Sequence, residues 1–274
     1  MLARLLPLIA LAALCGPAAA LAQDSAPSPA PAPVTLRFHA AQAHQGAASD
    51  GTYFYAISND AIGKYRIATG EQVAEWHGQP RLFPHMNSCT VVGHQLVCAA
   101  SNYPALPQTS AVEFFDTRTM THLRTVSLGL LQGSLTVMDR HAGHWWAVLA
   151  NYTGKGGDPA RGAAFTQLVQ MDAAFHPEQA WVFPEAVLAR MAPKSCSGLS
   201  WGPDGYIYAT GHDRPEVYVL RLPEAGSSLE LVTTLGLASA GQAIDWDPKA
   251  PRRLWSIGRG DGEVLASTMP QVRQ

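Results

Sequence analysis

The chain reads as an all-β protein, a five-bladed β-propeller of four-stranded antiparallel blades. Three observations predict it. Apolar-polar alternation in short runs dominates and helical periodicity is nearly absent. One strand-turn-strand pattern recurs five times, starting at 45, 87, 133, 197 and 242. These starts are separated by about 42, 46, 64 and 45 residues, against about 40–50 for a four-stranded blade.

Residues 1–22 carry Arg4, an apolar run from Leu5 to Leu14, and Ala20-Leu21-Ala22. A basic start, a short apolar middle and an A-x-A end make a cleavable secretory signal. The run is shorter than the roughly 20 residues a membrane span needs, and no later segment is long and apolar enough to serve. The expected location is therefore periplasmic or secreted. Residues 23–33, with Pro27, Pro29, Pro31 and Pro33 among Ala and Ser, read as an extended linker with nothing to bury. Residues 34–274 are expected to form one propeller domain.

Val34-Thr35-Leu36-Arg37-Phe38 alternates and precedes the first repeat. Repeat one has the turn Asp50-Gly51, strand residues Tyr53–Ile57, the break Ser58-Asn59-Asp60, and outer strands at 64–67 and 73–76. Repeat two runs through Gly93 and Leu96-Val97-Cys98 to Ser101-Asn102-Tyr103, then 112–115 and 123–126. Repeat three has Trp145–Leu149, Asn151-Tyr152, 167–171 and 180–183. Repeat four has Asp204-Gly205, Tyr206–Ala209, Gly211-His212-Asp213, 217–220 and 229–232. Repeat five has Leu254–Ile257, Gly258-Arg259 and Val264–Ser267, one strand short. Pairing Val34–Phe38 beside Val264–Ser267 would supply the missing strand, close the ring and protect two sheet edges.

In an up-and-down blade the repeat starts and the breaks after the second strand share one face, called the top. The opposite face collects Asp-Gly and Gly turns, which need only turn chemistry. The top collects His44, Gln45, Asn59, His85, Asn87, Asn102, Tyr103, Asn151, Tyr152, Ser197, His212, Asp213, Gln242 and Arg259. Asn is favoured in turns for its own sake, but His and Tyr are not turn residues. Convergent polar groups at a channel mouth predict a site for a polar small molecule. The ligand set expected is Gln45, Asn59, Asn87, Asn102, Tyr103, Asn151, Tyr152, Ser197, Gln242 and Arg259. His44, His85, His212 and Asp213 are the candidates for acid-base chemistry. Two features of the long third repeat belong to the same face: the Gly-rich loop Tyr152–Pro159, and a helix beginning at Pro184-Glu185.

With 19 Lys and Arg against 21 Asp and Glu, the net charge is −2, and no basic stripe offers a nucleic-acid surface. A monomer is expected. Three cysteines follow the signal: Cys89, Cys98 and Cys196. A two-residue turn at Gly93-His94 would set Cys89 opposite Cys98 in a non-hydrogen-bonded pair, close enough for a disulfide. A three-residue loop would shift the register and leave buried thiols. Cys196 is then the unpaired one.

The repeat grammar resembles secreted propellers of the glutamine cyclotransferase and quinoprotein-like families. Gln45-Gly46 is similar to the Gln-Gly that opens the cyclotransferase repeat. That family carries a proton-shuttling Glu after the next strand, where this chain reads Ser58-Asn59-Asp60. Asn102, Asn151 and Asp213 resemble the channel-mouth ligands of gluconolactonase-type propellers, which implies calcium or another divalent metal there. Three classes of function follow: a binder of a polar small molecule, a metal-assisted hydrolase or cyclase-type enzyme acting on a lactone or cyclic substrate, and a protein-interaction scaffold. The residues are compatible with a binder and with an enzyme.

Overall fold

Twenty strands build five four-stranded antiparallel sheets in the computed structural model, which describes residues 25–272. The signal expected at 1–22 lies outside the described residues. Blade one comprises β2 (Gly46–Ser49), β3 (Tyr53–Ile57), β4 (Ala61–Arg66) and β5 (Gln72–His77). Blade two comprises β6 (His85–Val92), β7 (Gln95–Ser101), β8 (Thr109–Asp116) and β9 (Thr121–Leu130). Blade three has β10 (Ser134–His141), β11 (His144–Ala150), β12 (Gln167–Met171) and β13 (Pro177–Val182). Blade four has β14 (Gly198–Trp201), β15 (Ile207–Thr210), β16 (Glu216–Arg221) and β17 (Glu230–Gly236). Blade five orders β18 (Asp245–Trp246), β19 (Arg253–Gly258), β20 (Glu263–Thr268) and then β1 (Val34–His39).

The innermost strands β2, β6, β10, β14 and β18 contact one another in a ring. Both faces of each inner strand are therefore covered, and their residues are nearly all buried. Core side chains form five clusters, one between each pair of neighbouring blades. Closure is the expected one. Val34 faces Ser267 and Phe38 faces Val264. Phe38 lies 4.8 Å from the Phe54 ring of blade one, so β1 contributes to the core as well as to the sheet.

The bottom turns hold glycine at positive φ, as in Gly51 (76°) and Gly205 (81°), where a Cβ would crowd the backbone. Gly93 also has positive φ (61°), and Val92 pairs with Gln95 across a two-residue turn. That register sets Cys89 against Cys98, and the two form a disulfide with Cα atoms 4.0 Å apart. Cys196 is free and buried.

The Pro/Ala-rich residues do not behave as a tether with nothing to bury. From residue 26 onward they lie against blade four. Ala26 carbonyl oxygen accepts from Arg190 and Arg214, each at 3.1 Å. Pro31 pairs in parallel with Gly236, and Ala32 N–H donates to Gly236 O at 3.0 Å. The approach needs Gly236, where a Cβ would stand 2.1 Å from Ala30 O. The physical reason is the edge of β17, whose unpaired backbone groups take the segment as a partial fifth strand.

The helix expected from Pro184-Glu185 is α1 (Glu185–Met191). It buries Val187, Leu188 and Met191 over the core between blades three and four.

Candidate functional site

A cavity of about 220 Å³ opens at the top mouth of the channel. It is lined by Gln45, His85, Asn87, Tyr103, Tyr152, Ser197, His212, Gln242 and Arg259 from the expected set, together with Thr136, Lys155 and Lys194. Among the described residues no carboxylate lines it, against three Lys or Arg side chains.

Each side chain is set by blade geometry. Gln45 precedes β2, and its Nε2 donates to Asn59 Oδ1 at 2.7 Å. Asn87 on β6 donates through Nδ2 to Leu135 O of blade three at 2.9 Å, stitching two inner strands. His85, at the start of β6, packs 5.1 Å from the Tyr103 ring. Its pKa is pushed down to about 4, first by burial and then by Arg259, against an opposing hydrogen bond with Asn87. It is thus neutral at pH 7.

Tyr103 accepts a hydrogen bond from Lys194 Nζ at 3.0 Å. Lys194 follows α1 and the Pro193 bend, so the spacer helix delivers a cation to the rim. The Gly-rich loop delivers another. Gly156 lies flat on Tyr103, where a Cβ would meet the ring at 2.2 Å, and Gln108 Nε2 donates to Gly156 O at 2.9 Å. The Gly-rich loop is therefore pinned at its centre, which sets Lys155 over the cavity.

Across the mouth, Arg259 Nη1 donates to His212 Nε2 at 2.6 Å. A guanidinium only donates, so His212 accepts through Nε2 and turns Nδ1 toward the Asp213 carboxylate, its other partner.

Gln242 has a left-handed backbone, φ 72°, and is 3% exposed. Its main chain is fully engaged: N–H donates to Gly211 O at 2.9 Å and the carbonyl accepts from Thr210 Oγ1 at 2.5 Å. Its side-chain Nε2 is buried without a partner. A buried donor left unmade costs about 1–3 kcal/mol, and strained backbone at a non-glycine residue clusters at ligand sites.

Other expected residues do not reach the cavity. His44 is exposed beside it. Asn59 acts through Gln45. Asn102 does turn duty: Nδ2 donates to Pro107 O and Oδ1 accepts Thr109 N–H, both at 2.9 Å. Asn151 is fully buried, with Nδ2 donating to Gln132 O at 2.9 Å and Phe165 O at 3.1 Å. Asp213 is exposed and faces His212. Asn102 and Asp213 thus engage separate local partners, and Asn151 does so through Nδ2 while its Oδ1 is buried without one, so the three do not converge. A mouth rich in cations and without carboxylates does not suit calcium, which takes clustered oxygen ligands of negative charge. No step through a metal is derived. Cys196 sits behind the mouth, its thiol pushed up to about 12 by burial, and is inert as a nucleophile.

Thr136, Lys155 and Lys194 were not anticipated as ligands. Thr136 follows Ser134 at period two on β10, a pattern visible in sequence. The two lysines depend on how a loop and a helix end fold back over the ring.

No family model matches the chain, and no curated protein matches it. Solved structures do. The PQQ-bound form of an aldose sugar dehydrogenase from Streptomyces coelicolor aligns with TM-score 0.50 and 13% identity, covering 83% of this chain and 78% of that one. The Cps50 (Swd1) β-propeller domain of Myceliophteria thermophila aligns with TM-score 0.45 and 12% identity, covering 85% and 98%. The likeness to the dehydrogenase is one of propeller fold.

Proposed function

We propose that this is an exported propeller that binds a small anionic molecule at its top mouth. One observation carries the reading: Gln242, whose side-chain Nε2 is a buried donor without a partner, lines a cavity that also holds Arg259, Lys194 and Lys155 and, among the described residues, no carboxylate. Such a set favours a ligand that only accepts, a carboxylate or phosphoryl group, with bidentate capture available from Arg259. A volume of about 220 Å³ lies below the ~300–1,000 Å³ of drug-sized pockets, so the ligand is compact. Export is supported by the signal pattern at 1–22 and by a disulfide, which persists in oxidising compartments.

The test uses protein recovered from the periplasm, with its N-terminus expected at Gln23. Calorimetric titration compares inorganic phosphate, citrate and PQQ with the uncharged gluconolactone. At least one anion is expected to bind. The pair Arg259→Ala and Lys194→Ala is expected to weaken it at least tenfold with the melting temperature nearly unchanged. Preference for gluconolactone, or anion binding indifferent to both substitutions, refutes the reading.

A further inference from the structure

A second cavity, larger and of opposite character, opens on the flank of the ring. It is a cleft of about 640 Å³ between the loop 78–84, which joins blades one and two, and the face of blade two. At its inner wall stands Glu113 of β8, only 4% exposed. One carboxylate oxygen, Oε2, accepts from His122 Nε2 at 2.8 Å and from Thr125 Oγ1 at 2.6 Å. Among the described residues no hydrogen bond reaches the other oxygen, Oε1, although a carboxylate has about four lone-pair sites to fill.

Aromatic packing fixes the donor pair. His122 is bracketed by Phe83 and Phe115, each 5.2 Å away and edge-on. The loop residue Phe83 is in turn held by Trp76 at 4.8 Å. The carboxylate therefore cannot swing out to solvent without giving up both bonds. Among the described residues the one Lys or Arg lining the cleft is Arg81, exposed on the loop and not paired with Glu113. Thr109, Thr125 and Ser127 line the remaining wall.

We propose that this cleft is a binding site for a small hydroxylated primary amine, of the amino-sugar or amino-alcohol class, whose ammonium group donates to Glu113 Oε1. A buried carboxylate with a free oxygen needs a cationic donor more than a neutral one. Phe83 lines the same cleft, where the face of its ring can attract the ammonium, and the Ser and Thr residues of the wall match the ligand's hydroxyls. The inference stands apart from the anion site, with which the cleft shares no lining residue.

Calorimetric titration with glucosamine and ethanolamine tests it, with N-acetylglucosamine as the uncharged control. The wild type is expected to bind an amine and not the acetylated sugar. Glu113→Gln keeps an acceptor for His122 and Thr125 but removes the charge, and is expected to weaken binding at least tenfold. Ser127→Trp narrows the cleft without touching Glu113 and is expected to do the same, which decides the matter if Glu113→Gln does not fold. Arg259→Ala should leave amine binding intact. No binding of either amine, equal binding of N-acetylglucosamine, or unchanged affinity in the folded variants overturns the proposal.

Discussion

Gly156 shows how one residue decides a site. Its φ is 76° and its Cα lies against the Tyr103 ring. Gly154, two residues earlier, also has positive φ (94°) but has nothing within 4 Å of an added Cβ. Gly154→Ala therefore carries backbone strain of about 1–2 kcal/mol and leaves the mouth alone. Gly156→Ala carries similar strain and also displaces Tyr103, the acceptor for Lys194. Anion affinity is expected to fall severalfold or more in Gly156→Ala and to stay near wild type in Gly154→Ala, with comparable melting temperatures. Equal affinities would show that the loop's contact with Tyr103 does not shape the mouth.

At the scale of elements, β1 is the piece whose position the chain order hides. It lies more than 220 residues from its partner in sequence, as the Thr35 to Ala266 hydrogen bond shows with a separation of 231. It supplies the outer edge of blade five and places Phe38 among Phe54 and Trp255. Deleting residues 34–39 exposes the β20 edge and opens that inter-blade cluster. The expected outcome is loss of a single cooperative transition in calorimetry. A truncated chain that melts like the intact one would mean that blade five closes without β1. The residues before β1 show the same pull of an open edge, since a Pro/Ala stretch with little to bury still docks on β17.

At the scale of the whole ring, two buried carboxylates join neighbouring blades around the channel. Asp139 Oδ2 accepts Trp201 N–H at 2.8 Å, linking blades three and four. Asp245 Oδ2 accepts Ser49 N–H at 2.9 Å, linking blades five and one. Burial raises the Asp139 pKa to about 6 despite those hydrogen bonds. Asp245 is also raised well above the usual carboxylate range, by burial and then by Asp139. A carboxyl raised in the folded state favours the protonated, low-pH form. Its contribution is full below the unfolded value near 4 and is lost as pH rises through about 6. For Asp139 the loss is on the order of 3 kcal/mol. Asp139→Asn does not titrate, so its melting temperature relative to wild type is expected to rise by several degrees between pH 4 and pH 7. A pH-independent difference would mean that Asp139 ionises in the fold without penalty.

Periodicity, turn residues and repeat spacing were enough to read five blades and the closing strand, because these are local patterns multiplied along the chain, whereas the cysteine register stayed open between two turn lengths until the structure showed the two-residue turn. A period of two with Gly turns leaves a strand little choice of face, and the same count that places Gly93-His94 at a turn places Cys89 against Cys98. The mouth was legible in outline for the same reason: the blade rule puts every repeat start and every break on one face. What periodicity does not carry is which way each side chain turns once it is there. Asn102 and Asn151 look like ligands in sequence, yet each satisfies nearby backbone, because buried or turning main chain takes the closest donor and acceptor. The cations came from segments without period, a pinned loop and a helix end, and their sign overrode the metal that the asparagines implied. Glu113 was invisible for a related reason. It sits mid-strand among ordinary β residues, and only the packing of a loop from the neighbouring blade makes a cleft beside it.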